Sequence, residues 1–351
     1  MKKILKRIGF GFLGIVFLLL LFAGYVLLNE YNPEEVEYLE ITPGARAENV
    51  SVGQTLNIVS WNTGYAGLDR DVDFFMDGGT GVRATSKETV ENNLHGILSA
   101  LVNLQPDICF LQEVDLDSTR SYYINQADYY RHGLSMNQAY GCNYRCAYVP
   151  YPMPPLGKVE SGIVTYTNLN VTEASRESLP ISFSWPVSVC NLKRGLLIER
   201  VPVEGTDREL VLVNLHLEAY DSGEGKVAQT KKLMSLLSLE YNKGNYVIAG
   251  GDFNQTFEGA DVFPKLEGNL WQAGSLYNSD LANGLRFVFD ASSPSCRSLD
   301  KPYTGDRENH QFYLIDGFIL SDNVKVNLVE TVDLNFVFSD HNPVHLEVTL
   351  Q

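Results

Sequence analysis

Short apolar runs that end in polar side chains recur along this chain. Apolar and β-branched residues that alternate or follow one another predict strands at 56–62, 107–111, 209–216 and 246–252. These runs lead into Asn62, Glu113, His216 and Asp252. Further strands are predicted at 160–166, 171–177, 191–203, 313–320 and 344–350, with the first two as neighbours and a hairpin turn at 205–207 between 191–203 and 209–216.

Apolar residues spaced three and four apart predict amphipathic helices at 86–104 and 225–243. A capping box of Thr85 and Glu88 begins the first helix, and Pro106 closes it. Since strands alternate with helices, the predicted fold class is α/β. Two interpretations stay open for the Tyr- and Pro-rich segment 118–160: a core-edge helix with a rigid loop, or a substrate-specificity insert at the rim of a cleft.

The first residues predict a membrane anchor. An uncharged apolar run at 8–28 follows a basic tail at 1–7, and its length suits a transmembrane helix of about 20 residues. The basic flank favours a cytoplasmic tail and a single-pass protein of the cell membrane, with its bulk extracytoplasmic. A cleaved signal peptide and a buried core helix are the alternatives. The acidic stretch 29–54 is predicted to be a solvated tether or an irregular first arm, before a domain at 55–351.

The net negative charge of the chain bears on whether it binds nucleic acid. The chain of 351 residues has a net charge of −16, and removing the four basic residues of the tail leaves −20 for the remainder. Such a domain repels polyanions, which counts against tight, sequence-independent binding of nucleic acid. Among the cysteines, Cys109 is expected in the core, and Cys142 and Cys146 are close enough in sequence to form a disulfide, although their spacing does not decide it.

The polar residues at the strand ends supply candidate chemistry. In open α/β sheets, ligands bind beyond the carboxyl ends of the strands. A carboxylate that follows a buried run is costly unless it is paired or bound to metal, so Glu113 is the first metal-ligand candidate. Gly250 and Gly251 are expected to allow a tight turn and a close approach to a ligand. Asp252 and Asn254, two apart in extended geometry, would orient a water or a phosphate oxygen.

Six motifs follow one another in order: Trp61-Asn62, Gln112-Glu113-Val114, Asn214-Leu215-His216, Gly251-Asp252-Phe253-Asn254, Ile315-Asp316 and Ser339-Asp340-His341. Together they resemble the endonuclease/exonuclease/phosphatase superfamily, which contains deoxyribonuclease-like and abasic-site nucleases, inositol polyphosphate 5-phosphatases and neutral sphingomyelinases. The resemblance implies a four-layer αββα sandwich of two mixed sheets flanked by helices. It also implies cleavage of a phosphate ester with Mg²⁺, or with Mn²⁺ or Ca²⁺ in its place.

Carried over residue by residue, the resemblance implies that Glu113 is the main metal ligand, with Asn62 and Asp340 nearby. His341 would be the general base or a phosphate-contacting imidazole, and Asp316 would orient it. The remaining residues would act on water and phosphate: Asp252 positions the attacking water, Asn254 and Asn62 bind phosphate oxygens, and His216 contacts the phosphate or protonates the leaving oxygen.

The substrate stays open between a phospholipid headgroup, a nucleic acid and a small phosphodiester. The anchor and the aromatic segment suit a phospholipid at the membrane. An exported nuclease is the alternative, and it would use a local basic spot such as Lys193 and Arg194. A catalytically inactive binding protein of the same fold is an alternative of another class. The sequence indicates no protein partner.

Overall fold

The computed structural model describes residues 2–221, 223–268 and 270–351; residue 1 of the predicted cytoplasmic tail and residues 222 and 269 lie outside it. The helices are α1 (Lys2–Leu28), α2 (Lys87–Leu104), α3 (Gln126–Leu134) and α4 (Glu224–Asn242). The strands are β1 (Val36–Tyr38), β2 (Val50–Ser51), β3 (Thr55–Asn62), β4 (Ile108–Asp115), β5 (Asn137–Val149), β6 (Gly157–Thr167), β7 (Glu173–Ser178), β8 (Gly195–Glu204), β9 (Glu209–His216), β10 (Tyr246–Asp252), β11 (Gln255–Phe257), β12 (Gly274–Leu276), β13 (Leu285–Val288), β14 (Cys296–Arg297), β15 (Phe312–Tyr313), β16 (Asp316–Ser321), β17 (Val324–Thr331) and β18 (Val344–Leu350).

Two mixed sheets contain most of these strands. Sheet I has the order β1-β7-β8-β9-β10-β16-β13, and β2 pairs with β8 beside that path. Sheet II has the order β17-β18-β3-β4-β6-β5. The pairs β9–β10 and β3–β4 are parallel, whereas their neighbours β16 and β18 run antiparallel to them. Each sheet therefore has a parallel pair near its centre.

The sheets pack face to face, and helices cover their outer faces. The apolar layer between the sheets includes Ile58 and Phe110 from sheet II and Leu212 and Ile248 from sheet I. Helices α2 and α3 pack on the outer face of sheet II, and α4 packs on the outer face of sheet I. Because successive strand residues point to opposite faces, the central strands supply both apolar layers. The predicted α/β fold, a four-layer αββα sandwich, is confirmed.

Both long helices of the domain and the β8–β9 hairpin are also confirmed. The predicted capping box is wrong in one respect. The residue that caps α2 is Ser86, whose side chain accepts a hydrogen bond from the backbone N–H of Thr89 at 3.0 Å, so Thr85 lies outside the helix.

Three details of the strand predictions are wrong. The runs at 160–166 and 171–177 are not neighbours, because β6 belongs to sheet II and β7 to sheet I. The predicted strand 313–320 is interrupted, and β16 begins only at Asp316. Strand β17 was not predicted, since it lies at the edge of sheet II with several exposed positions and lacks a continuous apolar run.

The N-terminal part of the chain consists of helix α1, which ends at Leu28, and the stretch 29–54 that follows it. Helix α1 is long and apolar enough, by its length and composition, to cross a membrane. Residues 29–54 do not form a free tether, because β1 pairs with β7 and β2 with β8. The irregular first arm, the other expectation for this stretch, describes it correctly.

The cysteines lie in the described part of the chain and are free thiols. Cys142 and Cys146 are four residues apart on β5, a separation of about 13 Å at 3.3 Å per residue. A disulfide needs Cα atoms within about 7 Å, so strand geometry excludes this pairing. Cys109 is buried in the core, as expected.

A buried carboxyl group on β8 gives a test of the packing of sheet I. Glu199 is 1% exposed, and its Oε2 has no hydrogen-bond partner among the described residues. Burial raises the pKa of this carboxyl group to about 8 from an ordinary value of 4.5. Between these two pH values the folded state holds a proton that the unfolded state releases, so this group makes the protein less stable as the pH rises.

We predict that Glu199→Gln, which removes the charge and keeps the shape, stabilises the protein on the order of 3 kcal/mol at pH 7. At pH 4 the variant and the native chain should be equally stable, because the native carboxyl group is then protonated in both states. Urea unfolding in detergent at the two pH values measures this difference. A difference that does not change with pH would contradict the assignment of a buried, protonated Glu199.

Candidate active site

The parallel strands bring four of the candidate residues to one edge of the sandwich. Asn62 ends β3 and Glu113 lies near the end of β4 in sheet II, while His216 ends β9 and Asp252 ends β10 in sheet I. The carboxyl ends of parallel neighbours meet at the same edge. Contact across the two sheets follows, because the Asn62 amide nitrogen donates to Asp252 Oδ2 at 3.0 Å.

The antiparallel strands bring the remaining candidates to the same edge by their amino ends. Asp316 begins β16 directly opposite Asp252 on β10. Asp340 and His341 precede β18, whose first residue pairs with Ser60 of β3. Because an antiparallel strand starts where its neighbour ends, residues before or at the start of these strands join the site.

The glycines before Asp252 serve strand packing rather than ligand approach. A Cβ atom on Gly251, whose φ is +151°, would lie 1.9 Å from the carbonyl oxygen of Leu215 on β9. The chain turns only after Asp252, where Asn254 has a φ of 51° and donates its backbone N–H to Asp252 Oδ1 at 2.8 Å. The expectation of a turn at the glycines and an extended 252–254 segment is wrong, although both polar side chains line one cavity.

Glu113 enters the site at an irregularity in β4. Its φ of 54° coincides with a register shift in the β4–β6 pair. The Asn62 amide nitrogen lies 3.3 Å from Glu113 Oε1, while Asn62 Oδ1 accepts the backbone N–H of Gly64 at 3.1 Å. Asn62 therefore holds a carboxylate from each sheet, and its Oδ1 keeps a second lone pair beside the bond from Gly64.

His341 is held in place through its ring and through its backbone. Its Nδ1 lies 2.8 Å from Asp316 Oδ2, and its backbone carbonyl accepts the indole N–H of Trp61 at 2.8 Å. Its Nε2 lies 3.8 Å from the carboxylates of both Asp252 and Asp340. Burial alone would lower the pKa of His341, but Asp316 and the neighbouring carboxylates raise it well above its ordinary value. Asp316 and its neighbours therefore favour the charged form of this ring.

The other carboxyl groups experience both burial and mutual repulsion. Burial raises the pKa of Asp252 to about 7, against the opposing effect of His341. Burial also raises the pKa of Asp340 to about 6, again against His341, and Glu113 adds to the increase. A buried site so rich in carboxylates is short of positive charge. Its hard oxygen donors fit a divalent cation such as Mg²⁺.

His216 has the opposite protonation behaviour from His341. Burial, with Arg194 and His341 nearby, lowers the pKa of His216 well below its ordinary value. The ring is therefore neutral, and its Nε2 lies 3.4 Å from Asp252 Oδ2. A neutral imidazole donates a hydrogen bond from one ring nitrogen and accepts one at the other.

A cavity of about 440 Å³ extends from these residues. Its walls away from the carboxylates are mainly aromatic and apolar, and include Phe75, Tyr144, Tyr151 and Trp271. The segment 118–160 contains a helix and a cavity-lining loop, and the long strand β5, which was not predicted, lies between them. Helix α3 packs in the core, whereas the end of β5 and the proline-rich loop line the cavity.

The sequence did not indicate the buried arginines around the cavity. Arg120 forms two hydrogen bonds with the Asp115 carboxylate, at 2.9 and 3.1 Å. Arg297 is 1% exposed and donates to backbone carbonyls of the loop 69–72. Neither arginine follows a strong apolar run. Asp115 lies two residues beyond Glu113 on the same strand. A second carboxylate at the end of a buried strand was the one feature of the sequence that could have indicated a buried cation such as Arg120.

Comparison with known proteins connects this geometry to a family. A model of the Endonuclease/Exonuclease/phosphatase family matches residues 59–341. No curated protein matches the chain.

Three solved structures show the same fold at low sequence identity. The endonuclease/exonuclease/phosphatase from Beutenbergia cavernae DSM 12333 is 18% identical, with a TM-score of 0.58, over 85% of this chain and 72% of that one. Its counterpart from Bacteroides vulgatus is 14% identical, with a TM-score of 0.54, over 85% and 100%. The human Nocturnin catalytic domain, solved with a bound sulfate anion, is 14% identical, with a TM-score of 0.51, over 89% and 97%.

We predict that Asp316→Asn lowers the pKa of His341, because the variant removes the carboxylate that favours the charged ring. NMR titration of the histidine side chains measures the change. His345, which lies 3.1 Å from Glu330 and outside the cavity, is the internal control, and its signals should be the same in the variant and the native chain. An unchanged titration of His341 would contradict the proposed dependence on Asp316.

Proposed function

The chain belongs to the Endonuclease/Exonuclease/phosphatase family, and we propose that it hydrolyses a phosphate ester by Mg²⁺-dependent, in-line attack of water. Members of this family are metal-dependent phosphoesterases and nucleases, so the chain is a hydrolase of that class. One observation carries the finer proposal. The His341–Asp316 pair lies in a buried cluster with Asp252 and Asp340, in the cavity that Glu113 also lines.

Glu113 and Asp340 are the residues that would hold the cation, and Asn62 would keep Glu113 in place. A divalent cation bound there neutralises charge that develops on the phosphoryl group. Mg²⁺ commonly takes only one or two protein carboxylates and keeps several waters, so two carboxylates are sufficient. Mn²⁺ or Ca²⁺ would find the same oxygen donors.

The pKa shifts of Asp252, His341 and His216 support a role for each of them toward water and phosphate. Asp252 would orient the attacking water and accept its proton, since a pKa of about 7 suits a general base at neutral pH. His341, favoured in its charged form, would donate a hydrogen bond from Nε2 to a phosphate oxygen instead of acting as the base. His216 would make a neutral contact with the same group. Asn254 donates one amide hydrogen to the Leu217 carbonyl at 2.9 Å and would use the other for a non-bridging oxygen.

The exported-nuclease alternative receives less support. Lys193, half of the basic spot that it would use, forms an ion pair with Glu30 at 3.0 Å. Arg194 is 4% exposed and donates to the His216 carbonyl at 3.1 Å. Both cations are used within the domain, and a net charge of −20 outside the tail repels nucleic acid.

We propose that the protein lies in the cell membrane, with α1 as its span and the catalytic domain extracytoplasmic, together with the strands β1 and β2 that join sheet I before residue 55. The basic residues at 1–7 support this orientation by the positive-inside rule. The length and hydropathy of α1 support the span itself.

We expect Glu113→Ala and His341→Ala each to lower turnover about 10²–10⁴-fold, because each removes charge stabilisation or a positioned donor at the phosphate. The assay offers bis-p-nitrophenyl phosphate, phosphoinositides, sphingomyelin and DNA, each with Mg²⁺ and with EDTA. His345→Ala, which alters a histidine four residues along but outside the cavity, is the matched control and should keep full activity.

Three outcomes would count against parts of this proposal. Turnover that survives EDTA would contradict the role of the metal. Full activity of Glu113→Ala and His341→Ala would contradict the site. Phosphate binding by the native chain without turnover of any substrate would favour the inactive binding protein.

The orientation is tested separately in intact cells. We expect added protease to remove an epitope tag fused after the exposed residue Gln351, because the domain would lie outside the membrane. A cytoplasmic protein in the same cells serves as the control and should survive. A protected tag would place the domain on the cytoplasmic side.

A further inference from the structure

The end of α1 packs against the part of the domain that surrounds the cavity. The ring of Phe22 meets Tyr148, at the end of β5, edge to face with centroids 5.7 Å apart. Val26, one turn further along the helix, is buried although most of α1 is exposed. The span and the catalytic domain are therefore in direct contact at this point.

The chain just after α1 is held against the domain by several contacts. Glu30 pairs with the buried Lys193 at 3.0 Å, next to Arg194 of the site. Glu35 accepts the backbone N–H of Ser178 at 2.8 Å, and β1 follows directly as the edge strand of sheet I. These contacts fix the orientation of the cavity relative to the helix axis.

A band of exposed apolar side chains surrounds the mouth of the cavity at this same end, and we name it the rim. Because β5 and β6 run antiparallel, as do β8 and β9, the segments after β5 and before β8 lie at the sheet edge that carries Glu113 and His216. The rim consists of Tyr148, Tyr151 and Met153 on the first segment, and Ile181, Trp185 and Val187 on the second.

The exposure of the rim is unusual for residues of this type. Met153 is 85% exposed, Trp185 is 71% exposed and Tyr151 is 69% exposed. The two segments are neighbours, since Tyr144 of β5 donates to the Cys190 carbonyl at 2.9 Å. Large exposed apolar side chains grouped on neighbouring segments mark contact with a partner or a membrane. Trp and Tyr are the residues enriched where a protein meets the membrane–water interface.

The position of Phe22 relates the rim to the bilayer. Phe22 precedes the last helical residue, Leu28, by six positions, or about 9 Å at 1.5 Å per residue. If α1 spans the bilayer over 8–28, the side chain that touches Tyr148 lies below the membrane surface. Interfacial anchors reach about 5–10 Å into the boundary between headgroups and acyl chains, which is the same depth.

We propose that the rim docks into the outer surface of the bilayer that α1 spans, so that the cavity opens onto the membrane and takes the phosphate ester of a lipid. The lipid step rests on the proposed hydrolase function, whereas the docking does not. Tyr151 and Val187 belong both to the rim and to the cavity wall. An apolar surface therefore runs from the bilayer toward Asp252 and His341, as a lipid with its chains in the membrane requires.

Charge supports docking by apolar burial rather than by attraction to anionic lipid. The chain beyond the tail carries −20, and Lys193 beside the rim is already paired. An anionic surface would repel this domain. A bilayer of zwitterionic phosphatidylcholine is therefore the appropriate probe.

Fluorescence of the full chain in phosphatidylcholine nanodiscs tests the docking. Lipids brominated on their acyl chains should quench Trp185, and the quenched component should disappear in Trp185→Phe. The control adds Asp207→Trp to that variant, which places an exposed tryptophan in the β8–β9 turn at the opposite end of the sheet from His216. This tryptophan should not be quenched. Unquenched Trp185, or equal quenching at position 207, would overturn the docking.

Turnover by the same nanodisc preparations tests the lipid step. The variant Met153→Ser, Ile181→Ser, Trp185→Ser alters rim residues outside the cavity wall. It should hydrolyse water-soluble bis-p-nitrophenyl phosphate at the native rate. It should hydrolyse lipid phosphate esters at least about tenfold more slowly than the native chain, because apolar burial in the interface is lost. Native turnover of the lipid by this variant would overturn the role of the rim, and so would an equal loss on both substrates in a variant whose circular dichroism matches that of the native chain.

The failures of the two proposals are distinguishable. If the native chain cleaves the soluble diester but none of phosphatidylcholine, sphingomyelin or phosphoinositide in nanodiscs, the lipid step is overturned and the hydrolase stands. If it cleaves nothing, the hydrolase proposal fails and the lipid step fails with it. The quenching result decides the docking in either case.

Discussion

The concentration of buried carboxylates around one imidazole is the constraint on which this site depends. Asp252, Asp316 and Asp340 all lie near His341, and in a buried environment each ionised group makes ionisation of the others more costly. One charged imidazole cannot offset them all. The fold therefore places carboxylates where a divalent cation would offset their charge. The groups proposed to bind the cation and the substrate are the same groups that would destabilise an unligated site.

The sheets are held in register beneath this cluster by amide groups within an otherwise apolar layer. Gln112 Nε2 donates to Asn214 Oδ1 at 2.8 Å, and Asn214 Nδ2 donates to the carbonyls of Leu111 and Val164 at 3.3 and 2.9 Å. A shift of one sheet over the other would leave these buried groups without partners, which is costly. Such contacts explain how residues from separate sheets meet at hydrogen-bonding distance.

The same end of the sandwich carries the carboxylate cluster, the rim and the contact with α1. This arrangement follows from strand direction: the ends of β4 and β9 hold polar residues, and the loops beside those ends are the ones that α1 reaches. Glu30, an acidic residue just after α1, contributes to this arrangement because it forms an ion pair with the buried Lys193. The first arm thus orients the domain, which a free tether could not do.

The sequence by itself determined the α/β class, the central strands, the helices α2 and α4, and the strand-end positions of Asn62, Glu113, His216 and Asp252. Each of these elements buries at least one face, so its apolar periodicity is visible locally. Edge strands such as β1 and β17 are partly exposed and carry a weak pattern. The separation of β6 and β7 into different sheets was equally invisible, because strand pairing is a long-range choice.

Only the tertiary structure decided how the site residues behave chemically. His216 and His341 are the same residue type at similar burial, yet their pKa values move in opposite directions. Local sequence could not show this, because the groups responsible arrive from elsewhere in the chain. Asp316, which favours the charged form of His341, lies 25 residues away, and Arg194, which opposes protonation of His216, comes from the preceding strand region. A pKa depends on which charges the fold brings close, and the tertiary arrangement of strands, loops and side chains sets those distances.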